Sequence, residues 1–181
     1  MLPLNSTLDA MKVITETERF IVREMHEGDA EGMLLLDSDV RVHEYLGKKT
    51  ISRKEEALQQ ITKVLDQYKA RGIGRWAIEW KANGEFVGWT GLKYESSFGP
   101  IEEFIDLGYR LRPEYWRMGI GLETAIFSRD YAFKTLYAKD IYASSHVDNA
   151  GSIHILEKIG FEWQEHFYYE NLKCNWYKMS R

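Results

Sequence analysis

The sequence is poor in the features that mark several specialised protein classes. A single cysteine, Cys174, is the whole thiol content of 181 residues, so no internal disulfide can form and a reducing, cytoplasmic setting is the default. Cys174 falls in a run that reads as a strand near the C-terminus, where a buried strand residue is the plain reading and a nucleophile is not. The five histidines, His26, His43, His146, His154 and His166, are scattered, and none stands at zinc-site spacing from another or from the cysteine. No metal is expected. Positive charge is also short: 24 Lys and Arg against 28 Asp and Glu give a net charge of −4. This argues against a nucleic-acid binder held by phosphate contacts, while leaving room for a local basic patch. Long apolar runs are missing, so no membrane span is expected, and the opening Met1 to Asp9 lacks the basic-then-apolar order of a signal peptide.

What is present reads as a soluble globular chain, 44% apolar and 29% charged. Its length suits one domain, 1–181, with 1–12 as a loose lead-in. Aromatic residues are plentiful, with six Trp, eleven Tyr and eight Phe. Trp76, Trp80 and Trp89 lie close together in a strand-rich section, where core packing and the lining of a groove are both open readings.

Periodicity organises the rest. Thr17 to Glu24 alternates as a first strand, with Phe20 and Val22 on one side. Asp29 has the form of a helix N-cap ahead of Met33, Leu34 and Leu36, and Gly47 to Thr50 reads as a loop. Ser52 and Glu55 have capping-box spacing before a helix carried by Ala57, Leu58, Ile61, Val64, Leu65 and Tyr68 up to Gly72. Arg75 to Trp80 and Glu85 to Leu92 are strands joined by Asn83-Gly84, a hairpin signal. Phe104 to Leu111 is a strand that Pro113 ends. Leu122 to Phe133 is a helix, Ile141 to Val147 a strand, and Ser152 to Ile159 a short helix stopped by Gly160. Glu162 to Tyr169 and Lys173 to Ser180 close the chain as strands. The order predicts a mixed α/β domain without repeats.

The most informative stretch is Leu107-Gly108-Tyr109-Arg110-Leu111-Arg112-Pro113-Glu114-Tyr115-Trp116-Arg117-Met118-Gly119-Ile120-Gly121-Leu122-Glu123-Thr124-Ala125. A strand runs through a glycine-spaced turn into a helix, which is a junction suited to an anion: backbone N–H groups approach the ligand and the helix dipole favours negative charge. A phosphate-bearing cofactor is the first hypothesis, and plain turn chemistry accounts equally well for the glycines alone. A triphosphate loop needs Lys-Ser or Lys-Thr after its last glycine, and Gly121 is followed by Leu122-Glu123. The dinucleotide fingerprint needs three glycines early in a strand-helix-strand unit, and only Gly119 and Gly121 are present, late in the chain.

Two segments together decide between these readings. Trp116-Arg117-Met118-Gly119-Ile120-Gly121 resembles the pyrophosphate-binding pattern Q/R-x-x-G-x-G/A of the GNAT superfamily of acetyl-coenzyme A dependent N-acetyltransferases. Asp148-Asn149-Ala150-Gly151-Ser152, running into Leu156-Glu157-Lys158-Ile159-Gly160-Phe161, is similar to that superfamily's N-x-x-S/A segment and the helix ending in Gly-Phe. The resemblance extends over nearly the whole chain. Glu18-Arg19-Phe20-Ile21-Val22-Arg23 with Asp29-Ala30, and Gly84-Glu85-Phe86-Val87-Gly88-Trp89-Thr90-Gly91-Leu92, resemble the branch that acetylates ribosomal-protein N-termini, which often has Tyr-Trp before the turn, as Tyr115-Trp116 here.

The resemblance implies a mostly antiparallel twisted sheet, splayed between its central strands and flanked by helices. It implies acetyl-coenzyme A as acetyl donor and an amine as acceptor: a protein or peptide N-terminus first, a small-molecule amine second, with a non-catalytic acyl-coenzyme A binding module as the reading of another class. It places the pyrophosphate on the N–H groups of Met118, Gly119, Ile120, Gly121 and Leu122, with Arg117 either a further charged contact or a solvated arginine. Leu107 and Tyr109 would border the gap that takes the pantetheine arm, and Asn149 would hold that arm. Ser152, or a water, would protonate the leaving thiolate, since Leu156 stands where many members carry a tyrosine; capping explains Asn149 and Ser152 equally. Asp106 is the candidate base, or a group that only positions the substrate cation, and Glu102 and Glu103 read as solvated. The acceptor would meet Val42 to Lys49 and Phe167 to Asn175. The chain is expected to be a monomer or a homodimer.

Overall fold

The computed structural model describes residues 12–181. The expected lead-in 1–12 therefore lies outside the described residues apart from Lys12, whose carbonyl accepts the Glu24 N–H at 2.9 Å. The described chain runs β1 (Val13–Glu16), β2 (Phe20–Arg23), α1 (Ala30–Asp37), α2 (Lys54–Arg71), β3 (Arg75–Trp80), β4 (Glu85–Glu95), β5 (Phe104–Leu111), α3 (Ile120–Lys134), β6 (Asp140–His146), α4 (Ala150–Lys158), β7 (Glu162–Tyr169) and β8 (Leu172–Ser180). Among the described residues the eight strands make one sheet in the order β1-β2-β3-β4-β5-β6-β8-β7. Neighbours are antiparallel except β5 and β6, which run parallel and share a single register pair, Asp106 with Tyr142. Beyond that pair the two strands continue without pairing to each other, β5 to Leu111 on β4 and β6 to His146 on β8. The sheet is thus open at its centre, as the splayed fold class anticipates.

Alternation along each strand divides the sheet into two working faces. One face packs on α3 and α4 through Trp76, Ile78, Leu92, Leu107, Ile120, Ile141 and Leu156, and the other on α1 and α2 through Ala77, Phe86, Met33, Leu36 and Ile61. Fully burying an aliphatic or aromatic side chain of this kind contributes roughly 1.5–3 kcal/mol, so both cores are substantial. Helix α3 buries small residues at helical spacing, Gly121, Thr124, Ala125, Ser128 and Ala132. That lets it lie close on β4, where Thr90 Oγ1 and Ser128 Oγ meet at 3.1 Å. Helix α2 ends as its sequence predicts: Gly72 takes the left-handed conformation at φ 74° and its N–H bonds the Tyr68 carbonyl at 2.9 Å.

Three local expectations are corrected. The strand expected over Thr17 to Glu24 begins only at Phe20, because the Thr17 N–H closes a turn onto the Phe20 carbonyl at 2.9 Å, and Val13–Glu16 before it forms a strand of its own. Asp29 stands at the N-cap of α1 but makes no cap bond to it; its carboxylate accepts from Arg23 at 2.7 and 2.9 Å and from the His26 N–H at 3.0 Å. The buried guanidinium is the stronger partner. The capping carboxylate of α2 is Glu56, not Glu55: Glu56 Oε2 accepts from the N–H of Ser52 at 3.0 Å and of Arg53 at 2.9 Å.

Candidate active site

The glycine turn follows a 3-10 turn at Pro113–Tyr115 and holds two left-handed residues, Arg117 at φ 61° and Gly119 at φ 78°. Helix geometry leaves the N–H groups of Ile120, Gly121 and Leu122 without intrahelical acceptors, and the N-cap residue Gly119 has no side chain to take them. An anion at this mouth satisfies them. Gly121 has a different reason for being glycine. A Cβ there would stand 3.2 Å from Ile155 and 3.6 Å from Leu111, so its bareness lets α3 close on α4 and β5. The turn is held from behind: Arg19 donates to the Met118 carbonyl at 2.8 Å and to Glu123 Oε2 at 2.5 Å, and Trp116 Nε1 donates to the Leu111 carbonyl at 2.8 Å.

The opening between β5 and β6 lies next to this mouth in the chain. Leu107, Tyr109 and Leu111 turn toward α3 and α4, while Asp106, Gly108 and Arg110 turn toward α1 and α2. Helix α4 presents its first turn to the same opening. Asn149 is its N-cap, with Oδ1 accepting the Ser152 N–H at 3.1 Å, so the capping reading holds for this residue. The Tyr109 hydroxyl lies 3.2 Å from Ser152 Oγ and 3.4 Å from the Ser152 carbonyl. Burial, the larger effect, pushes the Tyr109 phenol up to about 12 despite its contact with Ser152, so it keeps its proton at neutral pH. Leu156 is buried in the core.

On the opposite face, Asp106 sits at the vertex where the strands part. Its carboxylate Oδ2 is bonded by Arg75, whose other nitrogen donates to the Asp106 carbonyl at 3.0 Å and the Gly91 carbonyl at 2.5 Å. Burial drives the Asp106 carboxyl upward, with Arg75 and Lys93 pulling the other way. Trp89 lies between two guanidinium groups, those of Arg75 and Arg110, each 5.2 Å from its ring centre. Arg110 donates to the fully buried Asp37 at 2.7 Å, and His43 Nε2 approaches the same oxygen at 3.3 Å. The 42–49 and 167–175 stretches do meet: Lys49 pairs with Glu170 at 2.8 Å, and His146 at the end of β6 packs on Tyr45 at 5.6 Å between ring centres.

Comparison with known proteins settles the family. Residues 19–162 match the acetyltransferase (GNAT) domain. The chain belongs to the GNAT family. It is 30% identical over 149 residues to the uncharacterized N-acetyltransferase YoaA of Bacillus subtilis, covering 82% of each chain. Among solved structures, a GNAT-family acetyltransferase from Bacillus anthracis superposes with a TM-score of 0.72 at 22% identity, over 94% of this chain and 97% of that one. The ribosomal L7/L12 alpha-N-protein acetyltransferase RimL in complex with coenzyme A gives 0.75 at 17% identity, over 93% and 98%. Spermidine N-acetyltransferase from Vibrio cholerae, in complex with coenzyme A and spermine, gives 0.72 at 17% identity, over 91% and 96%. These likenesses carry the fold. As a member of the GNAT family the chain is an acetyl-coenzyme A dependent acyltransferase.

In this GNAT domain the residues singled out from sequence fall into two groups. Met118 to Leu122, Leu107, Tyr109, Asn149 and Ser152 gather about the mouth and the opening on the α3/α4 side, while Asp106 occupies the vertex on the other face. Sequence alone assigns no site role to Arg19, Asp37, Arg75 or Arg110, whose partners lie far away along the chain. Trp76 resolves as core against Phe127 and Tyr131, whereas Trp89 is half-buried against the α1/α2 core beside the Arg75 and Arg110 guanidinium groups. No group of three or more His, Cys, Asp or Glu among the described residues has metal-binding geometry, and none of the described helices is long and apolar enough to cross a membrane.

Proposed function

We propose that this enzyme acetylates the N-terminal amine of a peptide or protein, in a cytoplasmic setting. The observation that carries the acceptor class is the charge pairing opposite the helix mouth. Each buried carboxylate among the described residues already has a cation: Asp29 with Arg23, Asp37 with Arg110, Asp106 with Arg75 and Glu95 with Lys93. A polyamine carries several positive charges and calls for several uncompensated carboxylates, whereas a peptide amine needs only one proton removed. The 42–49 loop and the β7–β8 hairpin, joined by Lys49 and Glu170, are the surfaces this reading gives to an extended chain end.

In this reading the N–H groups of Met118, Gly119, Ile120, Gly121 and Leu122 hold the pyrophosphate, with Arg117 beside them, and Leu107, Tyr109 and Asn149 border the pantetheine arm. Asp106 is the base, acting through water at Oδ1, the oxygen that Arg75 leaves unbonded. The amine nitrogen bonds the acetyl carbon, the carbon–sulfur bond breaks with its electron pair going to sulfur, and Ser152 Oγ gives the sulfur a proton. Water then restores the serine proton. Thiol release from acetyl-coenzyme A with a panel of peptides differing in their first residue, alongside spermidine, spermine and free amino acids, tests the assignment. Turnover concentrated on peptides supports it. A higher kcat/KM for a polyamine or an amino acid overturns the acceptor, and no thiol release with any amine points to a binding module.

A further inference from the structure

We infer that Tyr109 is a positioning residue for the sulfur end of the cofactor: by donating its hydroxyl proton to Ser152 it leaves the Ser152 O–H free and aimed at the thiol. The inference rests on the placement of Ser152 near the sulfur proposed above. Its geometry comes from two contacts of one phenol. The Tyr109 hydroxyl is 3.4 Å from the Ser152 carbonyl, which can only accept, and 3.2 Å from Ser152 Oγ. The phenol has one proton for these two oxygens, and between the two hydroxyls either can donate; we assign the proton to Oγ, the nearer oxygen, with the carbonyl contact at 3.4 Å the weaker one. The Ser152 N–H is already taken by Asn149 Oδ1 at 3.1 Å. With its amide, carbonyl and Oγ lone pair all engaged, Ser152 has one free polar hydrogen, the hydroxyl proton.

The arrangement also answers the residue at 156. Leu156 is buried and aliphatic, so the helix itself offers no phenol there. The phenol comes instead from the strand on the other side of the opening, through Tyr109. Burial holds that hydroxyl protonated across the neutral range, which suits a permanent donor and not a group that titrates during turnover. A serine hydroxyl that receives a hydrogen bond becomes a better donor itself, and donors aimed at a developing negative charge stabilise it.

The test titrates the ultraviolet thiolate absorbance of coenzyme A bound to the whole protein, in the wild type, Tyr109→Phe, Ser152→Ala and the double variant. The bound thiol is expected to titrate below the free thiol in the wild type, and Tyr109→Phe to raise the midpoint by about half a pH unit, the scale of one lost modest hydrogen bond. Ser152→Ala raises it too, and the double variant raises it no further than Ser152→Ala alone. Incorporating a fluorotyrosine at position 109, which keeps the ring and sharpens the donor, lowers the midpoint and covers the case where the Phe variant folds poorly. With an active acceptor, Tyr109→Phe lowers kcat about tenfold and leaves the acetyl-coenzyme A KM within about twofold. A wild-type midpoint in Tyr109→Phe, or shifts that add fully in the double variant, overturns the inference. Its failure is separable from that of the proposed function: absence of thiol release with every amine defeats acetyl transfer, while the titration still judges Tyr109. Coenzyme A that does not bind defeats both.

Discussion

Arg19 and Met118 stand 99 positions apart, and the guanidinium of the first donates to the carbonyl of the second at 2.8 Å. Holding that carbonyl on the arginine side leaves the turn's N–H groups free for an anion. The same guanidinium bonds Glu123 in the first turn of α3, so the turn and the helix are fixed to each other by a residue from the opposite end of the domain. Arg19→Ala is expected to raise the acetyl-coenzyme A KM about tenfold with kcat nearly unchanged, the signature of lost ground-state binding. Steady-state kinetics at saturating acceptor checks this; a fall in kcat at constant KM contradicts it.

Gly108 is glycine for the sake of Arg75. A Cβ at 108 would lie 2.8 Å from Arg75 Nη2 and 3.0 Å from its Cζ, and that guanidinium is pinned by the Gly91 and Asp106 carbonyls and the Asp106 carboxylate. Gly108→Ala is expected to cost about 1–3 kcal/mol, as overpacking of a fixed buried group does. Urea unfolding measures it, and an unchanged midpoint would show that Arg75 moves aside freely.

The Asp106 carboxyl is raised by burial, so its basic form appears at higher pH than that of an ordinary aspartate near 3.8. As base, it gives a rate that climbs with pH through that raised value and levels off above it. Asp106→Asn is expected to lower kcat by about a hundredfold and to remove that acid limb. An acid limb that survives in the Asn variant assigns the base elsewhere.

Glu95 anchors the loop after β4, accepting from the N–H of Ser96 at 2.9 Å, of Ser97 at 2.8 Å and the Ser97 hydroxyl at 2.6 Å, with Lys93 on its other oxygen. Burial opposes ionisation here, and these bonds outweigh it, taking the carboxyl down to about 2 from an ordinary 4.5. A depressed carboxylate contributes stability that is complete above the unfolded value and lost as pH falls from about 4.5 toward 2, on the order of 3 kcal/mol in all. Glu95→Gln should therefore be markedly less stable than wild type at neutral pH, with the gap narrowing across that acid range. A gap independent of pH contradicts the assignment.

Sequence periodicity reads the elements whose signals are local. The bounds of β3, β5 and β7 coincide with the alternating runs, and Gly72, Gly84 and Gly160 end or turn the chain with φ of 74°, 72° and 101°. β1 escapes because four residues with only Val13 and Ile14 apolar give no period to read. β4 runs three residues past Leu92 because Lys93 and Glu95 satisfy each other on a charged face that hydrophobic alternation does not mark. The helix mouth proposed for the pyrophosphate is legible for the same reason: its glycines and its helix start are contiguous. Arg75 with Asp106 and Arg110 with Asp37 are not legible, since the pairs join residues 31 and 73 positions apart and have meaning only once the strands are laid side by side and α1 is packed on them.

The central claim is transfer of acetyl to a peptide α-amine, and the most direct measurement is mass-spectrometric mapping of the product from a peptide with both a free N-terminus and an internal lysine. The same peptide with a blocked N-terminus, and spermine, are run beside it. The account predicts acetyl on the α-amine, no turnover of the blocked peptide and little of spermine. Acetyl found on the lysine, or efficient acetylation of spermine while the free peptide stays unmodified, contradicts it.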